Sequence, residues 1–292
     1  MAGEITVFVP TFGIYEGLSQ TLSSVVSQSC AIDRIVVSDD GSDIPFPSCL
    51  SEQFPQVHFR QGTENLGTVA HLNSLAMLSD TRFLKFLAAG DSFANEESLA
   101  ALVSFAKENN TYAVTSQAMV CTEDLKRRLY PFPRRGGMRA FAKSPQQLFE
   151  ALAVRNRVSA VGTLFSQDFF TQLGGFDESY RLLEDWPTWL QLAREGHPIP
   201  MLPKVTCLYA LGGISSVSGD AFCSERLRED MILCYEKEIL PYAAAFSHRA
   251  RQEIAYGYAR VQGRPAEDLM KEFQWLERKR LWKQQLKRIL AK

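Results

Sequence analysis

The sequence predicts an α/β fold in which helices cover a mostly parallel β-sheet. Over the first hundred residues, short runs rich in β-branched side chains alternate with amphipathic helical segments, and polar turns follow the strand-like runs. This alternation is typical of βαβ units. The chain has 292 residues, of which 46% are hydrophobic and 22% charged. It can therefore bury a full core, and the disordered and collagen-like classes are excluded.

The spacing of apolar residues assigns the elements of this first region one after another. The first is a strand at Ile5–Val9, followed by a helix over 15–29 with Leu18, Leu22 and Val25 on one face. The remaining elements are strands at 35–37, 57–60 and 83–87, and helices at 68–78 and after Asn95. Together they predict a parallel sheet with helices packed against it.

The second half of the chain has weaker periodicity. Residues 130–139 mix turn residues with three arginines and are predicted to form a loop. A turn at 174–177 leads to a predicted helix, for which Pro187 is suited to the first position. A final helical region is expected from about Glu225 to the end.

The net charge is distributed unevenly along the chain. There are 32 basic and 33 acidic residues, which argues against a nucleic-acid binder held by a global basic field. Residues 270–292 contain eight basic and two acidic residues, so this tail carries +6 and the rest of the chain −7. Tryptophans 275 and 282 interleave with the tail's charges at helical spacing. Such a helix can lie on an anionic membrane surface or pack on protein.

Nothing in the composition indicates a disulfide-bonded protein or a protein that spans a membrane. The six cysteines show no CxxC spacing, which favours reduced thiols. No apolar run is long enough to span a bilayer, and the sequence starts directly with the first predicted strand, without a secretory leader pattern. We therefore expect a cytoplasmic protein, either soluble or bound peripherally to the inner face of the cell membrane.

Polar clusters follow three of the predicted strands. They are Pro10-Thr11-Phe12, Asp39-Asp40-Gly41-Ser42 and Gly90-Asp91-Ser92. Each alone is adequately explained as a turn. Ligands of open α/β sheets bind outside the carboxyl ends of the strands, so the recurrence of such clusters indicates a binding edge.

The residue types in these clusters suit a nucleotide. Asp39 and Asp40 together need hydrogen-bond donors or a cation, and a base edge or a ribose hydroxyl supplies donors. Asp91 offers the hard oxygen that Mg²⁺ or Mn²⁺ prefers when a diphosphate provides other ligands. The sequence contains neither GxGxxG after the first strand nor GxxxxGK[ST], so dinucleotide and P-loop sites lose their main support.

The adjacent acids Glu184 and Asp185 form a second candidate site. At the start of the predicted helix, the helix dipole favours their ionised forms. A carboxylate held in a cleft can act as the general base that takes a proton from a sugar hydroxyl. An ordinary acidic helix start is the alternative.

The order of these motifs resembles the family 2 glycosyltransferases, which have the GT-A fold. The resemblance covers roughly residues 4 to 215. It is carried by Val9–Phe12, Ile35–Ser42, Asn65-Leu66-Gly67 with Asn73, the strand ending near Asp91, Gly174–Glu178 and Glu184-Asp185-Trp186.

The resemblance implies an inverting sugar transfer from a nucleotide-sugar, with a UDP-sugar expected, to a hydroxyl of a glycan or lipid-linked glycan. It implies that Asp185 deprotonates the acceptor while Glu184 supports it, and that Asp40 meets the base edge. The implied donor-binding residues are Pro10, Thr11, Phe12, Asp39, Asp40, Asn65, Gly67 and Asp91.

One departure concerns the metal. The family's motif usually reads Asp-x-Asp-Asp, and here the aligned residues are Ala88-Ala89-Gly90-Asp91. A divalent ion, Mg²⁺ or Mn²⁺, would rely on Asp91 alone, the diphosphate and water. Arginines could offset phosphate charge instead, although a solvated basic loop is the better explanation for any one of them. The candidates are Arg134, Arg135, Arg139, Arg155 and Arg157.

The predicted organisation is a catalytic domain over 1–218 and a helical extension over 219–292. Within the first, about 1–110 would bind the nucleotide and 111–218 the acceptor. The paired glycines 212 and 213 suit either a hinge or a plain loop. The expected setting is bacterial capsule, O-antigen or exopolysaccharide synthesis, with a homo-oligomer left open.

Two other functions compete with this one. The missing acids at positions 88 and 90 suit a catalytically silent nucleotide-sugar-binding protein. A nucleotidyltransferase would want a basic phosphate loop near the first strand, and the stretch from Pro10 to Glu16 contains no Lys or Arg.

Overall fold

The computed structural model describes residues 4–13, 15–212 and 225–290. Within them the chain forms one nine-stranded sheet covered by helices. The strands are β1 (Ile5–Thr11), β2 (Arg34–Asp39), β3 (His58–Gln61), β4 (Phe83–Phe86), β5 (Ser92–Phe93), β6 (Ala113–Cys121), β7 (Arg128–Phe132), β8 (Leu164–Ser166) and β9 (Met201–Ala210).

Twelve α-helices are described, together with a π-helical turn at Tyr235–Ile239 and a 3-10 turn at Leu240–Ala245. The α-helices are α1 (Leu18–Val26), α2 (Ser48–Gln53), α3 (Thr68–Ala76), α4 (Ser98–Asn109), α5 (Arg135–Met138), α6 (Pro145–Val154), α7 (Gln167–Gln172), α8 (Asp185–Arg194), α9 (Glu225–Cys234), α10 (His248–Val261), α11 (Ala266–Glu272) and α12 (Gln274–Leu290).

The order of strands in the sheet is β3-β2-β1-β4-β8-β6-β9-β5, with β7 paired to β6. Strands β1 to β4 are mutually parallel where they pair, and β8 is antiparallel to both β4 and β6. The carboxyl ends of β1, β2 and β4 consequently meet at one edge. The predicted mostly parallel α/β fold with C-terminal helices is confirmed.

Alternation along β1 divides the core between the two faces of the sheet. Phe8 points into a cluster shared with α3, α6 and α8, while Val7 and Val9 point into a cluster shared with α1 and α4. On the first side Phe165 of β8 stacks on Trp189 of α8, with ring centroids 5.7 Å apart. This packing fixes α8, and with it the acids at its start, against the sheet.

The prediction of a loop over 130–139 was wrong. Pro131 and Phe132 belong to β7, which pairs with β6, and α5 follows directly. The Gln117 side chain donates to the Pro133 carbonyl at 2.8 Å, and the Arg134 guanidinium lies 4.6 Å from the centre of the Tyr130 ring. The pairing with β6 and the Gln117 contact order a segment whose composition is typical of a turn.

Helix α8 begins two residues before Pro187. Proline is tolerated there because the first four backbone N–H groups of a helix have no partner within it. The helix start therefore contains Asp185 itself, with Glu184 as the residue before it.

The C-terminal helices pack on the same core as the sheet. Tyr235, Ile239 and Ile254 are buried in one cluster with Trp186 and Trp189. The proposed hinge glycine at position 213 and the boundary between 218 and 219 lie outside the described residues. Among the helices that are described, none is both long and apolar enough to cross a membrane.

Candidate active site

The predicted binding edge is held together by backbone hydrogen bonds between its loops. The Thr11 carbonyl accepts from the Asp40 N–H at 2.9 Å, and the Pro10 carbonyl accepts from the Ala89 N–H at 3.2 Å. Phe12 follows with its ring 48% exposed. An exposed aromatic ring at the ends of parallel strands is a surface on which a base can stack.

Asp39 is fully buried beneath this edge, and its carboxylate is surrounded by donors. Oδ1 accepts from the Ser42 N–H at 2.6 Å and from the Gln61 side chain at 2.7 Å. Oδ2 accepts from the Ser42 hydroxyl at 2.7 Å and from the Tyr15 hydroxyl at 3.2 Å. These bonds satisfy a buried charge and fix the shape of the loop after β2.

Asp40 connects that loop to the one before α3. Its Oδ1 accepts from the Leu66 N–H at 3.0 Å and its Oδ2 from the Gly67 N–H at 2.9 Å. Both oxygens are thus engaged inside the protein, which makes Asp40 a brace for the 65–67 loop. Direct contact between Asp40 and a base edge stays a prediction.

The 65–67 loop is in turn tied to the chain just before the acid pair. The guanidinium of Arg181 donates to the Asn65 carbonyl at 3.0 Å and to its side-chain oxygen at 2.6 Å. Gly67 has φ 86°, and a Cβ there would lie 2.6 Å from Cγ of Arg181. Only glycine permits this close approach without displacement. The Arg181 side chain therefore links the predicted donor loop to the segment that leads to Glu184 and Asp185.

Asp91 lies behind the end of β4 and is buried. Its Oδ1 accepts from the Ala210 N–H of β9 at 2.9 Å, and its carbonyl accepts from the Thr21 hydroxyl at 2.6 Å. Burial raises the pKa of Asp91 to about 7, against the opposing effects of the Ala210 N–H and the charge of Lys85. Asp91 is thus fixed to β9 through its Oδ1 and is largely shielded from solvent.

These residues fit a divalent ion only together with a donor diphosphate. Ala88 and Gly90 provide no side-chain oxygen, and the described parts of the chain contain no group of three or more His, Cys, Asp or Glu that could hold a metal. Mg²⁺ is commonly bound through one or two carboxylates plus substrate phosphates. Asp91 meets the lower limit of that requirement.

A buried lysine next to this strand end was missed in the sequence. Lys85 of β4 is 0% exposed, and its ammonium group donates to the carbonyls of Phe86, Val161 and Thr163. Burial lowers its pKa, while the thiolate form of Cys207 and the carboxylate of Asp91 favour the charged state. A lysine inside the apolar run 83–87 was the available signal, since an unpaired ammonium is rarely buried.

The acid pair lies at the start of α8, where the local fold presents Asp185 to a donor from another loop. The Asn156 side chain donates to Oδ2 of Asp185 at 2.7 Å, and the Trp186 N–H donates to Oδ1 at 2.5 Å. The indole N–H of buried Trp189 has no hydrogen-bond partner among the described residues. Among the residues that the structure describes, no such set of donors reaches the neighbouring Glu184 carboxyl.

This asymmetry separates the two acids. Burial and the neighbouring charge of Asp185 raise the pKa of Glu184 to about 8. Burial also raises the pKa of Asp185, against the lowering effect of the Asn156 and Trp186 hydrogen bonds. Two adjacent carboxyls do not both ionise readily, and the donors to Asp185 favour its charged form, so we expect Glu184 to be the acid that keeps its proton longer.

The transfer rate should therefore show two limbs as pH changes. If Asp185 is the base, activity should rise as Asp185 loses its proton and fall near pH 8, where Glu184 would add a second negative charge beside it. Glu184→Gln should keep the acid limb and lose the alkaline one. The measurement is kcat over pH 5 to 9, and an unchanged alkaline limb in Glu184→Gln would contradict the assignment.

Thermal unfolding tests the protonation of Glu184 without a measurement of catalytic turnover. Glu184 has a reference pKa of 4.5, raised to about 8 in the fold, so the folded protein binds more protons between these values. Its stability must then fall as pH rises through this range. The Glu184→Gln variant should lack that loss.

Three partner residues of the site escaped the sequence analysis, namely Asn156, Arg181 and Asp230. Asn156 donates to Asp185, Arg181 donates to Asn65 of the 65–67 loop, and Asp230 accepts from the backbone N–H of Arg181. Each acts across a separation of at least 29 residues, for which a single sequence holds no periodic signal. The only hint in the sequence was that Asn156 lies between Arg155 and Arg157, which are candidates to offset phosphate charge.

The chain matches the family model described as glycosyl transferase family 2 over residues 6–159. No curated protein gives a significant match. Similar solved structures include S. aureus TarS 1-349 in complex with UDP-GlcNAc, which is 14% identical with a TM-score of 0.56, over 90% of this chain and 82% of that one.

A second similar structure is the mannosyltransferase PcManGT from Pyrobaculum calidifontis in complex with GDP-Man and Mn²⁺. It is 17% identical with a TM-score of 0.57, over 89% of this chain and 70% of that one. At such identities the two likenesses support the fold.

Proposed function

The chain belongs to glycosyl transferase family 2 and is a glycosyltransferase, and from that premise we propose an inverting transfer from a nucleotide-sugar to a hydroxyl of a glycan or lipid-linked glycan. The observation that carries this proposal is the Arg181 contact with Asn65. It joins the loop braced by Asp40 to the turn that precedes Glu184 and Asp185. Donor and base would then face one space.

In the proposed mechanism Asp185 takes the proton from the acceptor hydroxyl. The hydrogen bonds from Asn156 and the Trp186 N–H hold the carboxylate in place, and a protonated Glu184 keeps the pair at one negative charge. The hydroxyl attacks the anomeric carbon opposite the departing nucleotide, through a transition state with oxocarbenium character. General-base assistance of this kind typically contributes about 10² to 10⁴ in rate.

On the donor side, Phe12 and the loops fixed by Asp39 and Asp40 would hold the base and ribose, with Pro10, Thr11, Asn65 and Gly67 forming the pocket walls. A UDP-sugar is the proposed donor. In support, solved structures of similar fold are described as complexes with UDP-GlcNAc, UDP and GDP-Man.

Asp91 is the residue that would hold Mg²⁺ or Mn²⁺, together with the donor diphosphate. A bound divalent ion would stabilise the negative charge of the leaving nucleotide. With a single protein carboxylate, affinity for the ion should depend on the nucleotide being present. The similar mannosyltransferase structure is described as a complex with Mn²⁺.

A panel of nucleotide-sugars, each with and without Mn²⁺, tests the donor and the metal together. We expect a UDP-sugar to raise the unfolding temperature, Mn²⁺ alone to leave it unchanged, and the two together to add a further increase that Asp91→Asn abolishes. Transfer to a glycan acceptor should follow the same donor preference. A shift by Mn²⁺ alone would contradict the single-carboxylate site, and turnover of no donor would favour a silent binding protein.

Basic residues beside Asn156 support an acceptor that carries phosphate, as a lipid-linked glycan does. Arg155 is exposed and Arg157 is half-buried. Burial and the charge of Arg155 lower the pKa of Arg157, and burial, Lys279 and Arg155 lower the pKa of Lys283 in α12. Cations that repel one another next to the base provide a place for an anionic group. Bacterial capsule, O-antigen or exopolysaccharide synthesis is the proposed setting.

Helix α12 is proposed to contact the inner face of the cell membrane. Its Glu277 faces the protein and bonds to Tyr256 and Arg280, while Trp275 and Trp282 are 60% and 62% exposed. Outward tryptophans on a basic helix suit the interface of an anionic bilayer.

The double variant Trp275→Ala with Trp282→Ala tests this contact. Wild-type protein should sediment with phosphatidylglycerol vesicles and less with phosphatidylcholine, and the double variant should lose most of the first binding. Tyr242→Ala removes an aromatic of 38% exposure elsewhere and serves as the control. Equal sedimentation of wild type and double variant would mean that the tail packs on protein instead.

A further inference from the structure

The turn over residues 177–183, which leads into the acid pair, is held from behind by a single carboxylate. Oδ2 of Asp230, on α9, accepts from three consecutive backbone N–H groups: Arg181 at 2.9 Å, Leu182 at 2.6 Å and Leu183 at 3.2 Å. Asp230 is only 2% exposed. Three amide dipoles aimed at one oxygen form an anion nest, here filled by the protein's own side chain.

The charge of Asp230 is balanced on its other side. The Arg226 guanidinium, one helical turn earlier on α9, lies 3.9 Å from Oδ1. The carboxylate therefore meets a cation at one oxygen and amide donors at the other. The turn is thus tied to α9 by three backbone hydrogen bonds to one buried side chain.

The same turn contacts both halves of the site. Arg181 binds Asn65 of the donor loop through its side chain, and its carbonyl accepts from the Val69 N–H at 3.2 Å. Two residues later, Leu183 precedes Glu184 directly. A shift of the turn would consequently move the donor loop relative to the acid pair.

A second contact from the C-terminal region holds the start of the turn. Lys237, in the π-helical turn after α9, forms an ion pair with Asp177 and donates to the Ser179 hydroxyl at 3.0 Å. Asp230 and Lys237 thus fix the two ends of the 177–183 turn. Both lie outside residues 6–159, where the family model matches.

We propose that Asp230 is a positioning residue for glycosyl transfer, which sets the placement of the acid pair relative to the donor loop by anchoring the 177–183 turn. This inference rests on the proposed function. Through Asp230, helix α9 would then contribute to catalysis. Misplacement of catalytic groups by about 1 Å can cost about 10²-fold in rate, so the anchor should act on kcat more than on donor binding.

Asp230→Asn is the main test, because it keeps the shape of the side chain and removes its charge. We expect kcat for transfer to fall by about 10 to 100-fold while the Kd for UDP changes less than about threefold. Hydrolysis of the donor by water needs no acceptor base, so the ratio of transfer to hydrolysis should also fall. Glu225→Gln, on the same helix with an exposed side chain that pairs with Arg228 and not with Arg226, is the matched control and should behave as wild type.

Asp230→Glu keeps the charge and displaces the oxygen, so it serves if Asp230→Asn does not fold. It should lower kcat in the same direction, with a smaller loss of unfolding temperature. An unchanged kcat and transfer-to-hydrolysis ratio in a folded Asp230 variant would overturn the inference. Failure of the wild type to turn over any donor would instead count against the proposed function itself.

Discussion

Asp185→Asn should lower kcat for sugar transfer by about 10³-fold, near the middle of the range for loss of a general base. The amide retains the shape and can still accept from Asn156 or the Trp186 N–H, so the site should stay assembled. It cannot take a proton from the acceptor hydroxyl. Affinity for UDP should remain within a factor of two, because the hydrogen bonds described for this side chain come from Asn156 and the Trp186 N–H and not from the loops proposed to bind the donor.

Two comparisons make that result specific. Glu184 is expected to be protonated at neutral pH, so Glu184→Gln resembles the working state and should cost less than about tenfold, far below the loss of a general base. Asp168→Asn changes an exposed acid in the first turn of α7 and should have no effect. If Glu184→Gln instead caused the greater loss and Asp185→Asn was mild, the roles of the two acids would be reversed.

The sequence predicted the positions of the site residues better than it predicted their hydrogen-bond partners. Strand periodicity placed the clusters after β1, β2 and β4 at one edge, and the structure confirms that edge. The strand pattern could not show that both carboxylate oxygens of Asp40 accept hydrogen bonds from the backbone amides of Leu66 and Gly67. A strand pattern locates the end of a strand, whereas hydrogen-bond partners depend on how distant loops approach it.

The second half of the chain was less predictable for a related physical reason. Asp230 is 49 residues from Arg181 along the chain, and β7 forms because it pairs with β6 rather than because of its own composition. Contacts of this range override local propensity. Lys85, in the first half, was missed for a different reason, since a charged residue inside an apolar strand was visible in the sequence but was not interpreted.

Gly41→Ala should disrupt the donor pocket and destabilise the fold, by about 2 to 5 kcal/mol in total. Gly41 has φ 79°, a conformation that costs an L-residue about 1 to 2 kcal/mol. A Cβ would lie 2.2 Å from the carbonyl carbon of Glu64 and 2.4 Å from its oxygen. These are backbone atoms, so the loop itself must move, at an overpacking cost of about 1 to 3 kcal/mol.

Because the backbone of Glu64 would have to move, we expect Gly41→Ala to weaken UDP binding more than it lowers stability. Glu64 precedes Asn65, so a displaced backbone pulls the loop away from the Asp40 carboxylate and from Arg181 at once. UDP affinity should fall by more than tenfold, measured by calorimetry on protein that is still folded. Gly174→Ala is the matched control, because Gly174 has φ 83° and a Cβ there meets nothing within 4 Å. It should lose only the backbone term and bind UDP normally, and equal losses in the two variants would show that left-handed strain, not the Glu64 contact, is responsible.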